Sequence, residues 1–401
     1  MIRLKETMRW FGPADPVTLC DIKQCGCSGV ITSLHHIPYG DVWTREEIIK
    51  RKKELDACGL EWIAVESVPV SEEIKTRTGG YLRHIDNYQQ TIQNLGAEGI
   101  NVVIYNFMPV LDWVRTDLQY ALPDGTECLY FDPVKFAAFE IYLLKRTGAE
   151  NDYTPEQLQK AETFFNLLSP AEIRNFERTI IDIFPGVNLG FTIQDIRDML
   201  AKYRNITGDR LREHLKLFLE EVIPVCEACG VRMAIHPDDP PYSILGLPRI
   251  VSTEEDIKII LEMADSPANG VAFCTGSFGA RSDNDLPEMI RRYGSRIQVF
   301  HFRSTQCNPD GSFYEANHLE GSVDMYEVVK AALEEMKKRK DANRSDWQLA
   351  FRPDHGHTML DDLKKPLAST PGYSCIGRMR GLAEIRGLQF GISRSFKRKK
   401  T

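Results

Sequence analysis

Short apolar runs alternate with longer amphipathic stretches along most of the chain. The runs fall at Met8–Phe11, Gly29–His35, Trp62–Ser67, Val102–Phe107, Arg232–His236, Val271–Thr275, Ile297–Phe302 and Gln348–Arg352. They are rich in Val, Ile and Phe and bounded by Gly or polar turns, as strands buried on both faces of a parallel sheet should be. Between them, Thr44–Cys58, Asn87–Gly96 and Ser322–Arg339 gather apolar residues on one helical face, Ile48 and Leu55 in the first case. Eight strand–helix units make an α/β fold of the (β/α)8 TIM-barrel type.

One interval breaks this rhythm. From about Pro123 to Asp209 no convincing strand is found, while helical patterns follow one another at Val134–Leu144, Pro155–Leu168, Ala171–Ile183 and Thr192–Tyr203. The interval is far longer than an ordinary βα connection. It reads as a helical insertion, residues 123–209, between strands 4 and 5 of a single catalytic domain spanning 1–401. Lid, subunit contact and surface decoration all stay open as its role. The terminal Ser395–Thr401 (SFKRKKT) is a basic tail expected to be solvated and disordered.

Charge narrows the function classes. The chain has 401 residues, a net charge of -7 and 42% hydrophobic residues. Nucleic-acid and anionic-membrane binding both need a basic face, so the expected partner is a small molecule. A homodimer is compatible with this. No apolar run has membrane-span length, and MIRLKETMRW has no signal-peptide core, so the expected compartment is the cytoplasm. The ten cysteines are scattered, and Cys226-x-x-Cys229 has no second pair, so free thiols in a reducing compartment are expected.

In a barrel of this kind, catalytic groups come from the C-terminal ends of several strands. The last four strands end on His236, Cys274, His301 and, within Arg352-Pro353-Asp354-His355, Asp354. One such residue alone means little. Four consecutive strand ends delivering imidazole, thiol, imidazole and carboxylate to one rim predict a metal site. The mixed donor set disfavours Mg2+ and Ca2+ and suits Fe2+, Mn2+, Co2+ or Zn2+. His355 and Tyr373 are the nearby candidate proton carriers. Arg303 is a candidate clamp for a substrate carboxylate, and Glu66 and Asn106 are candidates for sugar hydroxyls, each with a structural role as the alternative. His35 and His36 end the second strand with their parity undecided.

With these residues in hand, the chain resembles the mannonate dehydratase family. The likeness rests on Arg9–Gly12 (RWFG), Val65–Pro69 (VESVP), Tyr105–Trp113 (YNFMPVLDW), Ile235–Pro241 (IHPDDPP), Leu247–Val251 (LPRIV) and Arg352–His357 (RPDHGH). The resemblance implies a xylose-isomerase-like barrel, a Mn2+ or Fe2+ cofactor, and conversion of D-mannonate to 2-dehydro-3-deoxy-D-gluconate in hexuronate (glucuronate) breakdown. It implies the ligand set His236, Cys274, His301 and Asp354, and the acid/base pair His355 and Tyr373, with the division of labour open. Cys307–Asn317, after the seventh strand, reads as a loop where the correspondence is weaker.

Three rival readings are weighed against this one. A sugar isomerase on the same barrel calls for a carboxylate-rich two-metal site. A phosphodiester-cleaving barrel acting on damaged DNA calls for a basic groove. A non-catalytic sugar-acid-binding descendant calls for loss of a ligand or a proton carrier.

Overall fold

The barrel strands are apolar on both faces, but the faces differ in bulk. On one face Ile31, Ala64, Val102, Ile104, Ala234, Ala272, Val299 and Ala350 form a small, tightly buried cluster. Larger side chains on the other face, such as Met8, Val65, Met233, Phe273 and Phe351, join the extended core beneath the helices. Small residues inside and bulky ones outside are what a closed ring of strands accommodates.

The computed structural model describes residues 2–181, 191–365 and 370–398. Its strands are β1 (Lys5–Trp10), β2 (Gly29–Thr32), β3 (Glu61–Val65), β4 (Val102–Tyr105), β5 (Asp117–Ala121), β6 (Glu127–Phe131), β7 (Arg232–Ile235), β8 (Asn269–Cys274), β9 (Ile297–Phe302), β10 (Ser304–Cys307), β11 (Phe313–Ala316) and β12 (Ala350–Pro353). Eight of them close a barrel in the order β1-β12-β9-β8-β7-β4-β3-β2. Every neighbouring pair in it is parallel. Among the described residues no helix is long and apolar enough to cross a membrane.

The expected helices of the insertion appear at Pro133–Ala138 continuing as a π-helix over Phe139–Leu143, then at Pro155–Leu167, Pro170–Ile181 and Ile193–Lys202. Capping boxes at Thr154 and Thr192 start two of them. Residues 182 and 183 of the third expected helix lie outside the described residues. Tyr203 ties the insertion to the barrel by donating to Glu72 Oε2 at 2.5 Å.

Two expectations are corrected. The interval from Pro123 to Asp209 does contain a strand, β6, which forms a hairpin with β5, and Cys307–Asn317 is the β10–β11 hairpin rather than an irregular loop. The two hairpins join as a four-stranded antiparallel sheet, β10-β11-β6-β5, through Phe313↔Phe131 and Tyr314↔Tyr130. Each turns on a Pro-Asp-Gly sequence. Gly125 and Gly311 take φ of 82° and 86°, which only glycine adopts without strain. The preceding Asp124 and Asp310 accept from the backbone and hydroxyl of Thr126 and Ser312, with hydroxyl bonds of 2.7 Å in both. Each hairpin contributes half an apolar face, so neither reads as a strand pair by its own periodicity. At the chain end, the helix Cys375–Arg398 extends through the first part of the expected basic tail; 399–401 lie outside the described residues.

The segment leaving β12 is clamped under that last helix. Gly356 N donates to the Gly372 carbonyl at 2.9 Å, and a Cβ on Gly377 would stand 2.1 Å from the His357 carbonyl oxygen. Gly377→Ala is therefore expected to cost about 1–3 kcal/mol by forcing two backbones apart. Gly387, exposed on the same helix with nothing within 4 Å of its would-be Cβ, should gain about 0.5–1 kcal/mol on the same substitution. Urea unfolding of the two variants reads both signs.

Candidate active site

The barrel pleat decides which side chains reach the mouth. Two residues beyond Ala64, Ile104, Ala234, Ala272, Val299 and Ala350 of the inner cluster stand Glu66, Asn106, His236, Cys274, His301 and Arg352. Side chains two apart share a face, so these residues continue the interior upward as a polar layer. Register aligns them across strands: Cys274 is level with His301, and His301 with Arg352. One more step of the same parity gives Arg303 and Asp354.

The ligand atoms of His236, Cys274 and His301 all lie within 4.8 Å of one another. Asp354 adjoins them, its Oδ2 accepting from Cys274 Sγ at 3.7 Å. His236 Nδ1 is bonded to the Pro237 carbonyl at 2.7 Å; as the donor in that bond it leaves Nε2 free to ligate. His301 Nε2 is buried with no partner among the described residues. Burial holds both imidazoles below their ordinary pKa, His301 well below, and pushes the Cys274 thiol up to about 11. These atoms fit a divalent metal of intermediate softness.

Around them runs a lattice of buried guanidinium and carboxylate groups. Arg352 pairs with Asp354 through Nη1, while its Nη2 meets Glu66 Oε1 at 2.9 Å and His301 Nδ1 at 3.2 Å. Burial alone would raise the Asp354 pKa, but Arg352, His355, His301 and Arg303 together hold it well below the usual carboxylate range. Arg303 donates to Asp239 Oδ2 at 2.7 Å and its Nε lies 3.1 Å from Glu315 Oε2. Arg115 grips the Asp239 carboxylate through two nitrogens, at 2.7 and 3.1 Å, and donates to Glu315 Oε1 at 2.9 Å. Against its burial, Arg303, His355 and Arg115 bring Glu315 down to about 2.

The structure brings the two candidate proton carriers together. The His355 and Tyr373 rings meet edge to face, centroids 5.0 Å apart, and both line the cavity formed with Arg9, Asn106, Trp113 and His236. Tyr373 donates to Asp354 Oδ1 and accepts from Arg9 Nη1, both at 3.2 Å. Burial, then Asp354, pushes its hydroxyl up to about 12. Glu66, Asn106 and Arg303 line the same cavity. Arg303 already pairs with Asp239, Glu315 and, at 3.6 Å, Asp354, while its Nη2 has no partner among the described residues. His35 stacks on Phe11 and His36 pairs with Glu47; both are exposed and neither lines the cavity. All ten cysteines are free, Cys226 and Cys229 included.

Sequence reasoning assigned no role to Arg9, Trp113, Arg115, Asp239, Glu315 or Arg352. Arg9 and Arg352 carried a usable signal, a charged residue inside an apolar strand at inward parity. Asp239 lay in plain view in the HPDDPP run. Arg115 and Glu315 carried none, because their importance comes from pairings between distant segments.

The sequence model of the family D-mannonate dehydratase (UxuA) matches residues 4–399. The chain belongs to the mannonate dehydratase family. It is accordingly an enzyme of the hydro-lyase class. It is 53% identical over 390 residues to a mannonate dehydratase of Marinomonas sp. (strain MWYL1), covering 97% of this chain and 99% of that one. With the mannonate dehydratase of Saccharophagus degradans it shares 46% identity over 385 residues, 96% of this chain and 97% of the other. Among solved structures, mannonate dehydratase from Streptococcus suis serotype 2 superposes with a TM-score of 0.76 at 33% identity, covering 99% of this chain and 95% of that one. D-psicose 3-epimerase from Clostridium cellulolyticum H10, at 12% identity and TM-score 0.51, covers 97% of this chain and 99% of its own and shares the barrel fold.

Arg352 is 1% exposed and serves Asp354, Glu66 and His301 at once. Arg352→Met should therefore destabilise the fold by about 3–5 kcal/mol, since it strands two buried carboxylates. Arg352→Lys should recover only part of this, for want of a second donor arm. Chemical denaturation at neutral pH measures both.

Proposed function

We propose that this chain removes water from D-mannonate to give 2-dehydro-3-deoxy-D-gluconate, using Mn2+ or Fe2+, as a step of hexuronate (glucuronate) catabolism in the cytoplasm. The observation that carries the reading is the convergence of His236, Cys274 and His301 ligand atoms within 4.8 Å, beside Asp354, in a cavity lined by His355 and Tyr373. The free thiols support a reducing compartment. His236, Cys274, His301 and Asp354 would hold the ion, whose chemistry there is Lewis-acid polarisation of the substrate carboxylate, making the C2 proton more acidic.

The chain's own residues supply the rest. At the mouth, the guanidinium groups of Arg9, Arg115, Arg303 and Arg352 face the carboxylates of Glu66, Asp239, Glu315 and Asp354. Arg303 Nη2 is free to meet the carboxylate, and Asn106 and Glu66 to meet hydroxyls. Of His355 and Tyr373, one takes the proton from C2 and the other gives a proton to the departing C3 hydroxyl. The C2–H and C3–O bonds break, water leaves, and the resulting enol becomes the 2-keto acid. The isomerase rival needs bridging carboxylates, whereas Glu66, Asp239 and Glu315 are each paired to arginine.

Chelation should abolish turnover, and Mn2+ or Fe2+ added singly should restore 2-keto acid formation from D-mannonate. Absence of product with every divalent metal would overturn the reading. Cys274→Ser should lower metal occupancy, whereas His355→Asn should keep the metal and lose turnover. Because the metal-free Cys274 thiol holds its proton up to about 11, binding must expel that proton while the neutral imidazoles need expel none. Metal affinity should then rise about tenfold per pH unit above neutrality and fall as pH drops. A competition titration across pH checks the slope.

A further inference from the structure

The four-stranded sheet β10-β11-β6-β5, the cap sheet, contributes one side chain that reaches a candidate proton carrier directly. Glu315, on β11, is 1% exposed, and its Oε1 lies 3.0 Å from His355 Nδ1. The same oxygen accepts from Arg115 Nη2 at 2.9 Å, and Oε2 faces Arg303 Nε at 3.1 Å. A carboxylate flanked by two guanidinium groups stays ionised and can only accept. The hydrogen on His355 facing it must therefore sit on Nδ1. Among the described residues Nε2 makes no hydrogen bond, and it is the nitrogen left for the cavity that His355 lines.

Three further contacts fix the ring plane. Trp113 packs on it with centroids 5.6 Å apart, Tyr373 meets it edge-on at 5.0 Å, and a Cβ on Gly372 would come 3.3 Å from its carbons. None of these can choose between the two neutral tautomers. Glu315 can.

We propose that Glu315 is a positioning residue of the dehydration: it holds His355 in the tautomer with Nδ1 protonated and Nε2 bare toward the substrate. Its anchors, Arg115 and Arg303, are in turn held by Asp239, so the orientation is set from three separate segments. A carboxylate behind an imidazole is a general means of fixing which nitrogen can exchange a proton. The proposal rests on the reading in which His355 carries a proton, and the experiment separates the two.

Glu315→Gln, His355→Asn and the double variant are compared for kcat, KM and metal content with D-mannonate. The amide in Glu315→Gln can turn its NH2 to the ring and favour the other tautomer. The expected result is a fall in kcat of about 10^4-fold with KM changed by less than about threefold and metal content unchanged. In the His355→Asn background, Glu315→Gln should cost nothing further, because it acts through that ring. Losses that multiply in the double variant would mean a merely structural role and overturn the proposal. Glu315→Asp, which keeps the carboxylate, should recover activity relative to Glu315→Gln. If His355→Asn is inactive while Glu315→Gln keeps wild-type kcat, the Glu315 proposal fails and the proton-carrier reading stands. If His355→Asn is fully active, that reading itself fails.

A measurement on the unsubstituted protein covers variants that do not fold. In the histidine 15N spectrum of the wild-type chain loaded with diamagnetic Zn2+, Nδ1 protonated and Nε2 bare at His355 supports the assignment. The opposite tautomer overturns it.

Discussion

Everything at the mouth of this barrel depends on the two-residue period of a strand. A parallel strand in a closed ring has one face inward, and the ring is too narrow at the bottom for anything larger than Ala, Val or Ile. Two residues further up, the same face emerges where the ring meets the loops. The parity that keeps Ala234, Ala272, Val299 and Ala350 inside thus delivers His236, Cys274, His301 and Arg352 to one level. A slip of one residue in any of these strands would turn its functional group outward into the helix layer.

That geometry concentrates charge in a place with little water, and the structure answers with arginines. Glu66, Asp239, Glu315 and Asp354 each have at least one guanidinium partner, and Asp354 is shared between Arg352, Tyr373 and Cys274. Pairing of this kind adds little net stability, since the cost of desolvating both ions nearly offsets their attraction. What it gives is fixed direction. Arg352 and Tyr373 hold Asp354 Oδ1, which leaves Oδ2 to face the Cys274 sulfur, and Arg115 and Arg303 hold one oxygen each of Glu315, which sets Oε1 toward His355.

Much of this was legible in the chain. The eight barrel strands follow from apolar runs, and four of the functional groups from the residues that end them, because both signals are local. His355 and Tyr373 were also within reach, standing beside a ligand-type residue and in a glycine turn. The cap sheet was not, although its Pro-Asp-Gly turns at Pro123–Gly125 and Pro309–Gly311 are ordinary hairpin signals. Its strands are four or five residues long and complete their hydrophobic face only across β6 and β11. Glu315 falls on such a strand, and no local pattern distinguishes it from a surface glutamate. Arg303 marks the limit of the local signal: it was legible as a clamp or a structural ion pair, but not its hold by Asp239, 64 residues before it, and Glu315, 12 after it.

The cap sheet also changes what the fold can tolerate. Its hairpins leave the barrel after β4 and β9, and between those strands in the ring stand β7 and β8, which carry His236 and Cys274. The sheet therefore bridges the ring the way a keystone spans an arch, joining two distant arcs above the strands that hold the ligand residues. A chain broken between β6 and β7 could still keep both arcs in register through the Phe131↔Phe313 and Tyr130↔Tyr314 pairs. The helical insertion, which follows β6 and precedes β7, is then fastened to the mouth by side chains rather than by strand pairing: Glu72 Oε2 accepts from both Tyr203 and the Val110 backbone, and Val110 leads to Trp113.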